Sequence, residues 1–187
     1  MIFDLEDLEK SALSGDGLSC YLLGRSYFSE ENGAICDYNK SVFWYKYGYD
    51  NFKDPRCTYG LAICYEDGVG GLDKNVNLSN KLFKEAYNGI LALIEDKDPF
   101  SMFILGAYYF YGLADITIDY KKAFETIYAA ASYGHIGGIY DIGVFYHDGI
   151  GTEKNYKKSK EYLKMATQKG LKRAEEKLIE WGKDFDN

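Results

Sequence analysis

Proline is nearly missing: only Pro55 and Pro99 occur in 187 residues, so little in the chain interrupts a helix. Histidine is as scarce, with His135 and His147 alone, which leaves few side chains able to act as bases or metal ligands near neutral pH. The four cysteines, Cys20, Cys36, Cys57 and Cys64, form no Cys-x-x-Cys pair, and without such spacing nothing points to a zinc site. No run approaches the roughly 18 apolar residues of a membrane helix. Residues 1–7, MIFDLED, have neither a basic start nor an apolar core, which argues against a signal peptide. The expectation is a cytoplasmic chain whose thiols stay reduced.

Apolar residues make up 47% and aromatics 17%, including 19 tyrosines. That is enough to bury a sizeable core and too aromatic for a disordered chain. Abundant Ala, Leu, Lys and Glu favour helix over strand. The formal charge of −7 is uneven. Residues 1–152 carry 12 Lys and Arg against 22 Asp and Glu, a net of −10, while residues 153–187 carry 10 against 7, a net of +3. The acidic bulk argues against nucleic acid, whose phosphates require a basic footprint. It has two readings: plain solubilising charge, or attraction of a basic partner.

One pattern recurs along the chain: a small residue, an aliphatic one four positions on, Gly or Ala next, and Tyr three further. It runs Ser19, Leu23, Gly24, Tyr27; Cys57, Leu61, Ala62, Tyr65; Ser101, Leu105, Gly106, Tyr109; and Gly138, Ile142, Gly143, Tyr146. The tyrosines lie 38, 44 and 37 residues apart, a period that belongs to repeat architectures. Positions i, i+4 and i+8 share one helix face, so the small residues let a second helix approach and the large ones fill the space beside it. Glycines follow three residues after the tyrosine at Gly68, Gly112 and Gly149, where a left-handed residue ends a helix. The run Gly68-Val69-Gly70-Gly71 has no Lys-Ser/Thr after it, so a phosphate loop is not indicated.

A second helix then begins at an Asp or Asn that can cap it: Asp37, Asn75, Asp119 and Asn155. A small residue comes eleven positions later each time, at Gly48, Ala86, Ala130 and Ala166. The closing positions are expected near Asn51, Gly89, Gly134 and Gly170. Residues 3–13 read as a lone second helix and residues 171–182 as a lone first helix. About ten helices result, in one continuous domain over 1–187 with repeats at roughly 18–52, 53–97, 98–134 and 135–170.

A helix-turn-helix repeat of this length and pattern resembles the Sel-1-like repeat (SLR), which is related to the tetratricopeptide repeats. The fourth copy is most complete: Ile142-Gly143-x2-Tyr146-x2-Gly149-x-Gly151, then Lys158-Ser159 and Ala166 through Gly170. The first copy departs by having Glu30 at the turn glycine, which predicts an irregular turn over 29–36. The second has Ala62 for the glycine and lacks the lysine-alanine pair, and residues 90–98 form an insertion that lengthens its second helix. The resemblance implies an all-α, right-handed α/α superhelix (solenoid) of about four Sel-1-like repeats with half-repeat caps. It also implies that the first helices line a concave face, and that the chain is an adaptor for other proteins or peptides rather than an enzyme.

By analogy with related repeats, that inner face carries Tyr21, Arg25 and Phe28 in the first copy, and Tyr59, Ile63 and Glu66 in the second. It carries Phe103, Ala107 and Phe110 in the third, and Tyr140, Val144 and His147 in the fourth. Aromatic anchors with scattered polar groups are the composition of binding hot spots, though the same rings are the natural packing between repeats. No residue set calls for a cofactor or metal. His147-Asp148 has the form of a base with its orienter, but lacks a partner nucleophile, and a surface histidine near a helix end is the plainer reading, as it is for His135. Lys40, Lys122 and Lys158 read as solvated charge on an outer face. The functional expectation is a cytosolic interaction module, in one version an inhibitor or immunity-type protein that holds a basic client. The alternative is a small hydrolase acting on cell-wall or drug substrates.

Overall fold

Capping chemistry explains why the helices start where they do. In a computed structural model describing residues 3–29 and 32–185, the described residues form ten α-helices and two short 3-10 turns, with no strand. The helices are α1 (Leu5–Leu13), α2 (Gly17–Ser29), α3 (Tyr38–Phe52), α4 (Pro55–Asp67), α5 (Val76–Glu95), α6 (Pro99–Tyr111), α7 (Tyr120–Ser132), α8 (Ile136–Asp148), α9 (Tyr156–Gln168) and α10 (Lys172–Glu180). The second helices open on the expected caps. Side-chain oxygens of Asp37, Asn75, Asp119 and Asn155 accept from the amides of Lys40, Leu78, Lys122 and Lys158 at 2.9–3.1 Å. Each such cap contributes about 1 kcal/mol.

The first helices have caps in a register of their own. Asp16, Asp54 and Asp98 accept from the amides of Ser19, Cys57 and Ser101. In the fourth copy His135 Nδ1 accepts from Gly138 N at 2.9 Å. All four lie eleven residues before the repeat tyrosine. Pro55 and Pro99 sit at the first position of α4 and α6, where a missing N–H costs nothing. His135 is therefore a buried cap, 5% exposed, stacked on Phe103 at 4.2 Å and edge-on to Phe100. The surface reading of this histidine is overturned. Asp54 does more than cap: its carboxylate also takes Arg56 Nη2 at 2.6 Å and Nε at 3.2 Å, with both side chains about nine-tenths buried.

The chain divides into two compact units, Phe3–Ala92 and Leu93 onward. In the first, α1 packs on α2, and α2 packs on α3 and α4. Tyr45 of α3, 4% exposed, lies where a Cβ on Gly24 or Gly60 would stand, and Gly48 of α3 is pressed against Cys20 and Cys57. Trp44, 5% exposed, stands edge-on to Phe43 and Tyr47. In the second unit α6 packs on α7, α8 on α7 and α9, and α10 on α9. Its core joins Ile127, Ile139, Ile142, Phe145, Tyr146, Leu163 and Ala174. Gly106 admits Ile127, and Gly143 admits Leu163. Small residues thus set the crossings within each unit, as the pattern predicts.

Each hairpin is closed by the same backbone bond. The amide of the second-helix cap donates to the carbonyl of the repeat tyrosine: Asp37 to Tyr27, Asn75 to Tyr65, Asp119 to Tyr109 and Asn155 to Tyr146, at 2.7–2.9 Å. In three copies a lysine one turn into the second helix then covers the ring of that tyrosine. Lys40 stands 5.0 Å from the Tyr27 centroid, Lys122 5.5 Å from Tyr109 and Lys158 4.9 Å from Tyr146. These lysines are exposed, yet they are not free charge on an outer face: each adds about 0.5–1 kcal/mol as a cation over a ring.

Two closing residues differ from expectation. Asn51 lies inside α3, and the left-handed position falls to Lys53 at φ 52°. Gly89 lies inside α5, which the insertion carries on to Glu95; its missing Cβ makes room for Pro55. Glu30 falls outside the described residues, and the turn after it takes positive φ at Asn32 and Gly33. Gly68, Gly112 and Gly149 end α4, α6 and α8 in the left-handed region. Two residues on, Gly70 and Gly151 are left-handed too and press on the carbonyls of Tyr38 and Tyr120, the first residues of the preceding second helices. In the third copy Ala114 takes this place, at φ 55°.

Gly151→Ala adds a Cβ against the Tyr120 carbonyl as well as left-handed strain, so it is expected to cost about 2–3 kcal/mol. Gly134→Ala, also at positive φ but with open space around it, is expected to cost about 1 kcal/mol. Ala114→Gly relieves strain and is expected to raise stability by up to about 1 kcal/mol. Denaturant midpoints of the three variants check the order.

Candidate functional site

The residues singled out on the first helices do share a register, but they meet different surroundings. In the first unit Tyr21 is 3% exposed and lies 6.1 Å from the Tyr45 ring, so it is a core residue. Arg25, Phe28, Tyr59, Ile63 and Glu66 are half-buried. Phe28 stands edge-on to Tyr38 at 5.3 Å, and Tyr59 leans on Phe83 of α5 at 5.6 Å.

In the second unit each singled-out aromatic touches the next repeat. Phe103 stacks on His135, and Phe110 stacks on Phe145 at 5.5 Å with rings 11° from parallel. The Arg173 guanidinium lies 4.6 Å from the centre of Tyr140. Burial pushes the Tyr140 phenol up, while Arg173 and Lys177 pull it back. His147 stacks on Trp181 at 3.7 Å. Packing against the next repeat does not enclose them, since all four side chains remain half-buried. Ala107 and Val144 are half-buried as well.

His147 is not the simple surface residue the sequence suggests. Its Nδ1 faces Asp148 Oδ1 at 2.6 Å and its Nε2 faces Asp184 Oδ2 at 3.1 Å, with 13% of the side chain exposed. Both ring nitrogens are therefore engaged by carboxylates, which leaves none to take a proton from a nucleophile. Sequence reasoning missed Asp184 and Trp181 because they come from beyond α10, more than thirty residues away. The base-and-orienter pair is real as a contact, but serves to hold that segment.

The cysteines are packing residues in three cases of four. Cys20, Cys57 and Cys64 are fully buried, and all four are free thiols. Burial, with Asp54 and Asp16 adding to it, pushes the Cys20 thiol up to about 11. Burial likewise pushes Cys64 up to about 12 and Cys57 well above its ordinary value. Among the described residues no helix is long and apolar enough to cross a membrane.

Repeat hairpins closed on a tyrosine carbonyl, with small residues at the crossings, now have a counterpart among known sequences. The profile described as Sel1 repeat matches residues 17–51, 55–89, 99–125 and 137–171, most of the chain. The chain belongs to the Sel1 repeat family. A crystal structure of a Sel1 repeat protein from Oxalobacter formigenes is similar at 22% identity and a TM-score of 0.53. The match covers 89% of this chain and 62% of that one, so the present chain spans less than two thirds of its relative. A protective antigen of uropathogenic Escherichia coli with an SLR fold is similar at 24% identity and a TM-score of 0.48, over 90% of this chain and 34% of that one. No curated protein matches. The fold class is thus the all-α solenoid of Sel1 repeats. Proteins of this family are generally scaffolds for protein–protein interaction.

Thiol reactivity tests the packing of the first unit. At pH 8 a thiol raised to about 11 is about 0.1% thiolate, so Cys20, Cys57 and Cys64 are expected to stay silent toward a disulfide reagent while Cys36, half-buried, reacts. One thiol should titrate in the folded chain and four in denaturant.

Proposed function

We propose that this Sel1 repeat chain is an adaptor that holds a protein or peptide against the exposed edges of its first helices. The observation that carries this reading is the recurrence of half-buried aromatic rings at two repeat positions: Tyr59, Phe103 and Tyr140 two residues before the aliphatic anchor, and Phe28 and Phe110 directly after the repeat tyrosine. A ring already fixed by a neighbour presents its edge to a ligand at little further cost in entropy. Arg25, Glu66 and His147 supply polar groups among them. Tyr21 leaves the contact set, because it has no surface to offer.

Charge supports a finer version for the first unit. Residues 3–92 carry 9 Lys and Arg against 14 Asp and Glu, a net of −5, which favours a basic client. An inhibitor or immunity-type protein that occupies such a client in the cytoplasm fits this bias. Nothing in the geometry around His147 supports the hydrolase alternative.

A pull-down from native lysate, with mass spectrometry of what is retained, supplies the partner. Tyr59→Ala and Phe103→Ala are then each expected to weaken its binding at least about tenfold, with the thermal melt showing a folded chain. Unchanged affinity in the double variant would sink the reading. A basic client also predicts weaker binding at high salt, and salt-independent binding removes that part alone.

A further inference from the structure

One part of the first-helix face is already occupied by the chain itself. Trp181 stacks on the His147 ring at 3.7 Å, 11° from parallel. Asp184, three residues on, brings Oδ2 to 3.1 Å from His147 Nε2, while Asp148 Oδ1 stands 2.6 Å from Nδ1. Phe185 meets the same imidazole edge-on at 6.3 Å. Two cations flank the segment: Lys177 lies 4.9 Å from the Trp181 centroid and bonds Glu180 at 2.7 Å, and Lys160 lies 5.6 Å from the Phe185 centroid. Tyr156 also stands against the imidazole, tilted 52° at 5.2 Å. His147 thus reads two chemical features at once: an aromatic face and a carboxylate one helical turn further along.

The segment that supplies them packs Trp181 and Phe185 against the core of the second unit, yet buries neither fully. The 3-10 turn Gly182–Phe185 contains no buried residue. α10 buries only Ala174, and Leu171 gives it no side-chain cap. The Asp184 side chain is 48% exposed. Few buried contacts and exposed hydrogen bonds mark the parts of a protein that open first.

We propose that the face of α8 at His147 is a seat for a peptide segment of a partner protein. That segment carries an aromatic residue followed three positions later by Asp or Glu, and residues 181–185 are an exchangeable occupant that fills the seat until it arrives. This rests on the reading of the first helices as the binding face, and it names the ligand chemistry for the fourth repeat. The resident segment lowers the apparent affinity for a competitor by the fraction of time the seat is closed. A partner therefore succeeds by outcompeting it or by arriving when the segment has been drawn away.

The test uses the full chain and a fluorescent, end-blocked peptide with the sequence of residues 181–185, read by anisotropy. The double variant Trp181→Ala, Asp184→Ala opens the seat and is expected to bind the peptide at least tenfold tighter than the unaltered chain. Adding His147→Ala should return binding to the unaltered level, and a peptide with Ala for Trp and Asp should not bind. The proposal is overturned if the double variant is folded by circular dichroism and binds no tighter, or if His147→Ala leaves its binding intact. Should the double variant fail to fold, hydrogen exchange on the unaltered chain decides. Saturating peptide is expected to speed exchange of the 181–185 amides while those of Ile142–Phe145 stay protected, and no change at 181–185 overturns the proposal. Loss of partner binding in Tyr59→Ala or Phe103→Ala together with no peptide binding here would leave the adaptor reading standing and remove this one.

Discussion

Each hairpin in this chain turns on one backbone hydrogen bond, from the amide of the residue that caps the second helix to the carbonyl of the repeat tyrosine. That bond does two things at once. It satisfies a carbonyl near the end of a first helix that would otherwise lack a partner, and it fixes where the second helix starts. The Asp or Asn side chain then holds the next amides, and in three copies a lysine covers the tyrosine ring. Because the bond pins backbone to backbone, the turn between can vary. It passes through Gly68 and Gly70 in one copy and through Gly112 and a left-handed Ala114 in another. The small residues at the crossings come into register only because the hairpin is pinned at its neck.

Most of this neck was legible in the sequence. Asp37, Asn75, Asp119 and Asn155 announced themselves, since a capping residue at a fixed distance from a tyrosine is a local signal. The turn glycines were legible for the same reason. The lysines were visible as a repeat, but their role was not, because a cation over a ring depends on two helices meeting. Asp54-Pro55 and Asp98-Pro99 carried a readable helix start, a cap followed by proline at the first position. Counting proline only as a breaker obscured it. Gly89 illustrates the opposite error: a helix-ending residue type was used instead to let Pro55 approach.

The candidate site was legible as a register and not as an environment. The pattern placed Tyr59, Phe103, Phe110, Tyr140 and His147 on the first helices of their repeats, and each is half-buried there. It had no means of knowing that Tyr21 would be enclosed by Tyr45, or that Arg173 would cover Tyr140. Those facts depend on side chains that arrive from another helix, 24 residues away for Tyr45 and 33 for Arg173. Nor did anything local reveal that residues beyond α10 fold back onto His147. In a repeat protein the same ring serves as a wall for one neighbour and an edge for a visitor, so burial alone does not separate the two uses.

The chain has two tryptophans, and the fold assigns one to each compact unit: Trp44 in the core of the first and Trp181 against the imidazole of the second. Each unit therefore contains its own optical reporter. Trp44 senses the packing of a core, and Trp181 senses whether a single segment is seated. Red shift of one without the other would resolve melting of the two halves in an ordinary emission spectrum, without any label.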